Sequence, residues 1–204
     1  MAELTSIPDA QRWNTNIHYH RLLADAVGEA QTVLDVGCGE GMLSRSLRQQ
    51  IPQVTGIDLH EPSIALARAQ PPHDITYICA DFLTHPFPPA SFDAIVSVAT
   101  LHHMDPTAAL IRMAELLTPG GTLAILGLAR GTFPLDLPRE ALAALAYTPY
   151  RFRKNRWEHP SPIVWPPPHT YSEIRALTHR LLPGSRYRRR IYWRYSITWT
   201  KPAP

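Results

Sequence analysis

The pattern of apolar and polar positions predicts alternating strands and helices over the first 128 residues. Short, nearly continuous apolar runs, typical of strands covered on both faces, alternate with segments whose apolar residues recur at helical spacing. The predicted strands are 32–37, 54–58, 75–81, 92–100 and 122–128, and the predicted helices are 17–28, 41–50, 62–70 and 106–117. This alternation indicates βαβ units around a parallel sheet.

The regular alternation stops after Gly127. Residues 129–170 are rich in proline, including Pro166-Pro167-Pro168, and contain one helix-like stretch at 138–147. A further helix is predicted at 171–182, and residues 185–202 predict two strands joined by a short turn around Trp193-Arg194. The proline-rich segment is typical of an inserted lid or substrate loop, although prolines and tryptophans also serve simply to stiffen a long loop.

The composition is that of a soluble globular protein, with 204 residues, 45% hydrophobic and 18% charged. There is no run of 18 apolar residues, so a membrane span is not expected, and the N-terminus does not resemble an export signal. Cys38 and Cys79 cannot form a disulfide framework. We therefore expect a reducing, cytoplasmic location.

The charge is distributed unevenly along the chain. Residues 1–127 carry 6 Arg and 13 Asp or Glu, a net −7, whereas residues 128–204 carry 12 Arg, 2 Lys and 4 Asp or Glu, a net +10. These arginines are either ordinary surface charge or a sign of an anionic substrate or partner. The run Arg188-Arg189-Arg190 suggests nucleic-acid contact, but alternate side chains of a strand point to opposite faces and cannot form one flat patch.

The most specific motif is VLDVGCGEG at 33–41, in which a predicted strand leads into a glycine-rich loop and then a helix. Glycines at Gly37, Gly39 and Gly41 permit a tight turn and a close approach of the backbone to a ligand. A nicotinamide-binding loop has a further glycine five residues after the first, where this chain has Met42. The stricter dinucleotide motif is therefore absent.

Acidic residues follow or end the first three predicted strands. Asp58 ends the second strand, where a carboxylate can accept hydrogen bonds from both hydroxyls of a ribose. Asp81 and Phe82 follow the third strand and could take an adenine amine and its ring, and Asp35 precedes the glycine loop. Asp58 could instead cap a helix N-terminus, and Asp81 could cap the turn before His85-Pro86.

Five ordered segments resemble the class I S-adenosylmethionine-dependent methyltransferases, in particular the small methyltransferase-domain group with ubiquinone/menaquinone-type and natural-product enzymes. The matching segments are VLDVGCGEG, GIDLHEPSIALARA, ADFLTHPF, SFDAIVSVATLHHM and LLTPGGTLAI, which span about residues 30–128. The resemblance implies a Rossmann-like α/β fold: a seven-stranded, mostly parallel sheet with helices on both faces and the last strand antiparallel. The implied cofactor is S-adenosylmethionine, with S-adenosylhomocysteine as product.

The resemblance also implies an organisation and a set of cofactor-binding residues. A single domain, 1–204, would consist of an N-terminal helical cap (1–30), a cofactor-binding core (31–128), the proline-rich insertion (129–170) and the final helix and two strands (171–204). Near the cofactor we expect Asp35, Gly37, Cys38, Gly39, Gly41, Asp58, Leu59, Asp81, Phe82, Val98, Ala99 and Tyr19.

The stretch TLHHMD places His102 and His103 after the fourth predicted strand, at the edge of the sheet where open α/β folds bind ligands. Methyl transfer from a sulfonium needs mainly alignment and exclusion of water, and a base only when the nucleophile must lose a proton. His102 or His103 could act as that base, or pack against the next helix. No third ligand lies at metal spacing, so no metal is expected.

Candidate acceptor-binding residues are aromatic or polar and come from the N-terminal and proline-rich segments. They are His18, Trp157, His159, Trp165 and Tyr171. The expected function is methyl transfer to an oxygen, nitrogen or carbon nucleophile of a small, aromatic or anionic molecule. The alternatives are an RNA methyltransferase, a protein that only binds the cofactor, and an enzyme of this fold that does not methylate.

Overall fold

A seven-stranded sheet forms the centre of the computed structural model, in which residues 7–149, 157 and 163–203 are described. The strands are β1 (Thr32–Val36), β2 (Gln53–Asp58), β3 (Thr76–Cys79), β4 (Phe92–Val98), β5 (Leu117–Gly127), β6 (Arg186–Arg190) and β7 (Arg194–Thr200). The helices are α1 (His20–Ala26), α2 (Met42–Arg48), α3 (Glu61–Arg68), α4 (Pro106–Leu116), α5 (Leu137–Tyr147) and α6 (Tyr171–Leu181).

The strand order confirms the predicted sheet. It is β3-β2-β1-β4-β5-β7-β6, with β1 to β5 mutually parallel. Only β7 runs the other way, between β5 and β6. The order reverses direction beside β1, and the carboxyl ends of β1, β2 and β4 therefore meet at one edge, where ligands of such sheets bind.

Each face of the sheet carries its own apolar core, as alternating side chains require. On one face Val33 and Val96 pack with residues of α1, α2 and α3. On the other face Leu34 and Ile95 pack with residues of α4 and α6. This arrangement confirms helices on both faces, and it explains why β1 and β4 are apolar at nearly every position.

Most element boundaries lie within a few residues of their predicted places. The predicted helix at 17–28 divides into a 3₁₀ turn at Ile17–Tyr19 followed by α1. The predicted fourth strand ends at Val98 instead of residue 100, because Ala99 has a left-handed φ of 54°. The two histidines then lie in a 3₁₀ turn, Leu101–His103, that the apolar pattern did not predict.

The terminal hairpin turns one residue earlier than predicted, at residues 191–193, and Arg194 already pairs with Arg190. Tyr192 and Trp193 both have left-handed φ values, 59° and 56°. Bulky residues rarely adopt this conformation, which costs on the order of 1–3 kcal/mol each and persists only where surrounding contacts hold it.

The side chains of the arginine run divide between the two faces of β6, as the strand period predicts. Arg186, Arg188 and Arg190 line a shallow groove of about 300 Å³ beside α1. Arg189 lies on the other face, where its Nη1 donates to Asp136 at 2.6 Å and its guanidinium lies over the Tyr171 ring.

Within the described part of the chain, no helix is both long enough and apolar enough to cross a membrane. Residues 150–156 and 158–162 of the proline-rich segment lie outside the described residues. The role of that segment as an insertion and the four-part division of the chain therefore stay predictions.

Candidate functional site

The glycine loop links β1 to α2 at the carboxyl edge of the sheet. Gly37, Gly39 and Gly41 all have left-handed φ values, 73°, 53° and 76°. The amides of Gly37 and Cys38 both donate to the carbonyl oxygen of Ile57, at 2.8 and 3.1 Å. The loop is therefore fixed against the end of β2, in a conformation that favours glycine.

Asp58 connects this loop to the start of α3. One carboxylate oxygen accepts from the Gly39 amide and the other from the His60 amide, both at 2.8 Å. Leu59 beside it is 72% exposed, which is unusual for a leucine. A carboxylate next to an exposed apolar side chain offers both a hydrogen-bond acceptor and a flat apolar contact.

Asp35 and Cys38 point into the protein and not toward solvent. Asp35 is 1% exposed, and the Ser44 hydroxyl donates to its Oδ2 at 2.6 Å. Burial raises the pKa of Asp35 to about 7, against the opposing effect of the Ser44 hydrogen bond. Burial likewise raises the pKa of the Cys38 thiol, so this cysteine is a packed, un-ionised side chain.

Asp35 should make the protein less stable as the pH rises. The folded-state pKa of about 7 lies above the ordinary carboxyl pKa of 3.8, so between these values the folded state binds more protons and the free energy of unfolding falls with pH. The full loss is no more than about 4 kcal/mol. Urea unfolding at pH 4.5 and 7.5 should show a smaller decrease for Asp35→Asn than for wild type. Equal decreases in both proteins would contradict this prediction.

The third acidic position differs from the first two. Asp81 is exposed, and its Oδ1 accepts from the Leu83 amide at 2.8 Å. Phe82 is only 4% exposed and belongs to the core, with the Arg112 side chain donating to its carbonyl. The ring of Phe82 is therefore mostly committed to core packing. No described residue accepts a hydrogen bond from the Phe82 amide.

The end of β4 contacts the glycine loop. Thr100 Oγ1 donates to the Val98 carbonyl at 3.0 Å and lies 3.4 Å from the Gly37 carbonyl. The Ala99 amide donates to Leu126 at 2.7 Å. These contacts fix the start of the 3₁₀ turn that carries the two histidines.

His102 is half-buried, and its Nδ1 has no hydrogen-bond partner among the described residues. The ring centroids of His102 and His103 lie 4.2 Å apart. Burial first, then the neighbouring charges of His103 and Arg194, lower the pKa of His102 to about 4. Burial also lowers the pKa of His103, against the opposing effect of Asp58. Both rings are therefore neutral near pH 7, and His102 can accept a proton.

The N-terminal segment closes against the glycine loop through charged groups that the sequence did not single out. The Arg12 guanidinium lies 3.9 Å from the Trp157 ring centroid, and its Nη1 lies 3.6 Å from Glu40 Oε2. Trp157 Nε1 donates to Glu40 Oε1 at 2.5 Å, and its amide donates to the Trp13 carbonyl at 2.9 Å. Glu40 lies within the VLDVGCGEG motif, and its acidic character is the sequence feature that could have identified it as a site residue.

The predicted acceptor residues contact different partners. Trp157 is 4% exposed and packs under Arg12, so it does not form an open pocket wall. Tyr171, also 4% exposed, packs edge-on against Tyr195. Trp165 is 70% exposed and helps to line a concavity of about 230 Å³ that also involves Phe133 and Trp193. His159 lies outside the described residues.

Tyr19 and His18 lie between the N-terminal segment and the terminal hairpin. Tyr19 is 7% exposed, and its hydroxyl donates to the Ile191 carbonyl at 3.0 Å. The His18 ring is exposed and lies 5.1 Å from the Tyr192 ring centroid. Tyr19 therefore ties the N-terminus to the hairpin, and its role in closing the cofactor site stays a prediction.

No group of three or more potential metal ligands occurs within the residues that the structure describes. The structure therefore offers the chemistry of carboxylates, glycine amides, neutral histidines and buried arginines at one edge of the sheet.

The comparisons with known proteins agree with this geometry. Residues 34–125 match a family profile described as "Methyltransferase domain". The chain is 43% identical over 199 residues to an "Uncharacterized methyltransferase" of Mycobacterium tuberculosis, across 94% of this chain and 98% of that protein. The chain belongs to the class I S-adenosylmethionine-dependent methyltransferases. This family relationship confirms the resemblance seen in the sequence.

Two other similarities concern part of the chain and its fold. A ubiquinone biosynthesis O-methyltransferase of Idiomarina loihiensis is 41% identical over 96 residues, which are 45% of this chain and 40% of that protein. The crystal structure of the cyclase SpnF superposes with a TM-score of 0.65, covering 98% of this chain and 86% of that chain at 17% identity. The latter similarity shows the fold alone.

Proposed function

We propose that this methyltransferase transfers the methyl group of S-adenosylmethionine to a nucleophile on a small-molecule acceptor. S-adenosylmethionine supplies a methyl group already activated by the positive charge on sulfur. The protein must therefore position the acceptor, exclude water and, where the nucleophile carries a proton, accept it.

The residues at the sheet edge suit this cofactor. Asp58 is an acceptor-only carboxylate at the end of β2, placed to accept hydrogen bonds from ribose hydroxyls, and exposed Leu59 would lie against the adenine. Asp81 and the Phe82 amide, which has no acceptor among the described residues, would contact the adenine edge. Arg12 and Glu40, of opposite charge and beside the glycine loop, would hold the carboxylate and amino groups of the methionine part.

The observation that carries the acceptor half of the proposal is the buried Nδ1 of His102, for which no described residue is a hydrogen-bond partner. A buried polar atom without a partner costs on the order of 1–3 kcal/mol, and an acceptor hydroxyl or amine would supply the missing hydrogen bond. His102 lies in the 3₁₀ turn Leu101–His103, which follows Thr100 and its contact with Gly37. The histidine is therefore at the same edge of the sheet as the glycine loop.

The similarity to the ubiquinone enzyme covers only the cofactor-binding half, so it supports the methyl donor more than any particular acceptor. Mass spectrometry should detect a gain of 14 daltons in an acceptor and stoichiometric S-adenosylhomocysteine. Cofactor binding without either product would favour a binding protein or an enzyme of this fold that does not methylate. RNA that co-purifies and dissociates steeply with salt would favour an RNA substrate. A cytoplasmic location stays a prediction.

Replacing His102 with alanine should lower turnover about hundredfold or more while S-adenosylhomocysteine affinity stays unchanged, since proton transfer to a positioned base typically contributes about a hundred- to ten-thousandfold. Because the pKa of His102 is about 4, wild-type turnover should show no titration of this group between pH 6 and 8. Steady-state kinetics and calorimetry provide the two measurements.

The exposed residue His73 serves as the control, and His73→Ala should match wild type in both measurements. Unchanged turnover in His102→Ala with retained cofactor affinity would show that this ring only shapes the pocket.

A further inference from the structure

Arg194 is a buried cation that has no counter-ion among the described residues. Its side chain is held in a pocket of neutral acceptors: Nε donates to Asn16 Oδ1 at 2.8 Å, and Nη2 donates to Thr15 Oγ1 at 2.7 Å. Nη1 donates to the carbonyl oxygens of Tyr192 at 3.0 Å and Trp193 at 3.4 Å. The residue is 8% exposed, and no carboxylate of the described residues pairs with it.

This arrangement is costly for a residue with only a structural role. Burying a charge without an opposite charge is unfavourable even when its N–H groups are hydrogen-bonded, because neutral acceptors do not replace the solvation of the ion. Desolvation lowers the pKa of Arg194 to about 10, and the guanidinium therefore remains charged near pH 7. Within the described part of the chain, four of its five N–H groups have partners, which leaves one on Nη2 for a ligand.

The cation lies beside the proposed methyl-transfer site. Arg194 is the first residue of β7, and the next residue, Tyr195, pairs with Gly127 at the carboxyl end of β5. Because β7 is antiparallel, its first residue lies at the same edge as the glycine loop and the histidines. The charge of Arg194 is also among the causes that lower the pKa of His102.

The surrounding backbone holds this cation in place at a cost in strain. Tyr192 and Trp193, which directly precede Arg194, both have left-handed conformations. Their carbonyl oxygens accept hydrogen bonds from Nη1 of Arg194, which fixes the position of the guanidinium. The N-terminal segment adds the contacts from Thr15 and Asn16. Strain stored next to a buried charge at a ligand edge is typical of a binding site.

We propose that Arg194 forms an anion subsite for the methyl acceptor and binds a carboxylate of an acidic substrate whose nucleophile lies at His102. This inference rests on the proposed methyl transfer and names its substrate class: carboxylic acids that carry a hydroxyl or amino group. One available N–H and one positive charge match a single carboxylate. The subsite discriminates by charge, since a neutral amide or ester of the same shape leaves Arg194 without its counter-ion.

The test compares acids with their neutral amides, using salicylate and salicylamide, 4-hydroxybenzoate and 4-hydroxybenzamide, and caffeate and its amide. Calorimetry in saturating S-adenosylhomocysteine measures binding, and labelled S-adenosylmethionine measures transfer. Wild type should prefer at least one acid over its amide by about tenfold or more, as expected for a charge-assisted hydrogen bond. Arg194→Gln should remove that preference, and Arg194→Lys should retain part of it.

Arg186→Gln removes an exposed arginine from β6 and should keep the wild-type preference. Circular dichroism and S-adenosylhomocysteine affinity show whether each variant is folded. The proposal is overturned when no acid is preferred over its amide by wild type, or when the preference persists in Arg194→Gln. Absence of S-adenosylhomocysteine binding by wild type would instead contradict the proposed function, and acid binding to Arg194 would remain measurable without the cofactor.

Discussion

We expect Asp58→Ala to lower the affinity for S-adenosylhomocysteine at least about hundredfold, because two hydrogen bonds to a charged acceptor contribute on the order of 3 kcal/mol or more together. The substitution also removes the acceptor of the Gly39 amide, so the glycine loop loses one of its connections to β2, while the hydrogen bonds from Gly37 and Cys38 to Ile57 remain. Both effects lower the affinity for the cofactor and should leave the apolar cores intact. Isothermal titration calorimetry measures the affinity directly.

Asp74→Ala is the matched control for Asp58→Ala. Asp74 is an exposed carboxylate near the amino end of β3 that pairs with Arg48. Exposed ion pairs contribute little, so this variant should bind S-adenosylhomocysteine as wild type does. Equal affinities for Asp58→Ala and wild type would exclude Asp58 from the cofactor site.

Gly37→Ala should destabilise the protein by about 2–5 kcal/mol, through a left-handed φ and an overpacked site. A Cβ at position 37 would lie 2.1 Å from Thr100 Oγ1 and 2.6 Å from Thr100 Cβ. Thr100 is short and branched and its hydroxyl already donates to Val98, so it cannot easily move away. Urea unfolding at constant pH gives the difference in the free energy of unfolding.

Gly120→Ala separates the two causes of this loss. Gly120 also has a left-handed φ, 81°, but a Cβ there meets no atom within 4 Å. Its alanine variant should therefore lose only about 1–2 kcal/mol, the cost of the backbone conformation alone. Similar losses in both variants would show that the contact with Thr100 is unimportant.

The proposed class of methyl acceptor rests on two residues, His102 and Arg194. The sequence identifies the first of them as a candidate and not the second. His102 lies next to a recognisable motif, so it was a candidate before the fold was known. Arg194 is one arginine among many in a basic C-terminal third, and nothing in its sequence context distinguishes it from Arg186 or Arg188. Burial singles it out, and burial depends on how the N-terminal segment packs against the hairpin.

The burial of Phe82 illustrates a second limit of sequence patterns. An aromatic residue after a carboxylate at the end of a strand suggested a wall for adenine. The turn after β3 instead directs this ring into the core beneath Arg112, whose side chain binds the Phe82 carbonyl. A loop residue has no fixed period, so its side-chain direction cannot be derived from the strand that precedes it.

The sequence by itself determined the order of strands and helices, the glycine loop and the position of Asp58. These features are local, because apolar periodicity, positive-φ glycines and strand ends are determined by residues near one another in the chain. Only the tertiary structure decided that Arg12, Glu40 and Trp157 meet over the loop, and that Arg194 is buried at the sheet edge that also carries His102. Arg12 and Glu40 lie about 30 positions apart, whereas Glu40 and Trp157 lie 117 apart and Asn16 and Arg194 lie 178 apart. The free energy that selects these contacts comes from packing and desolvation across the whole fold.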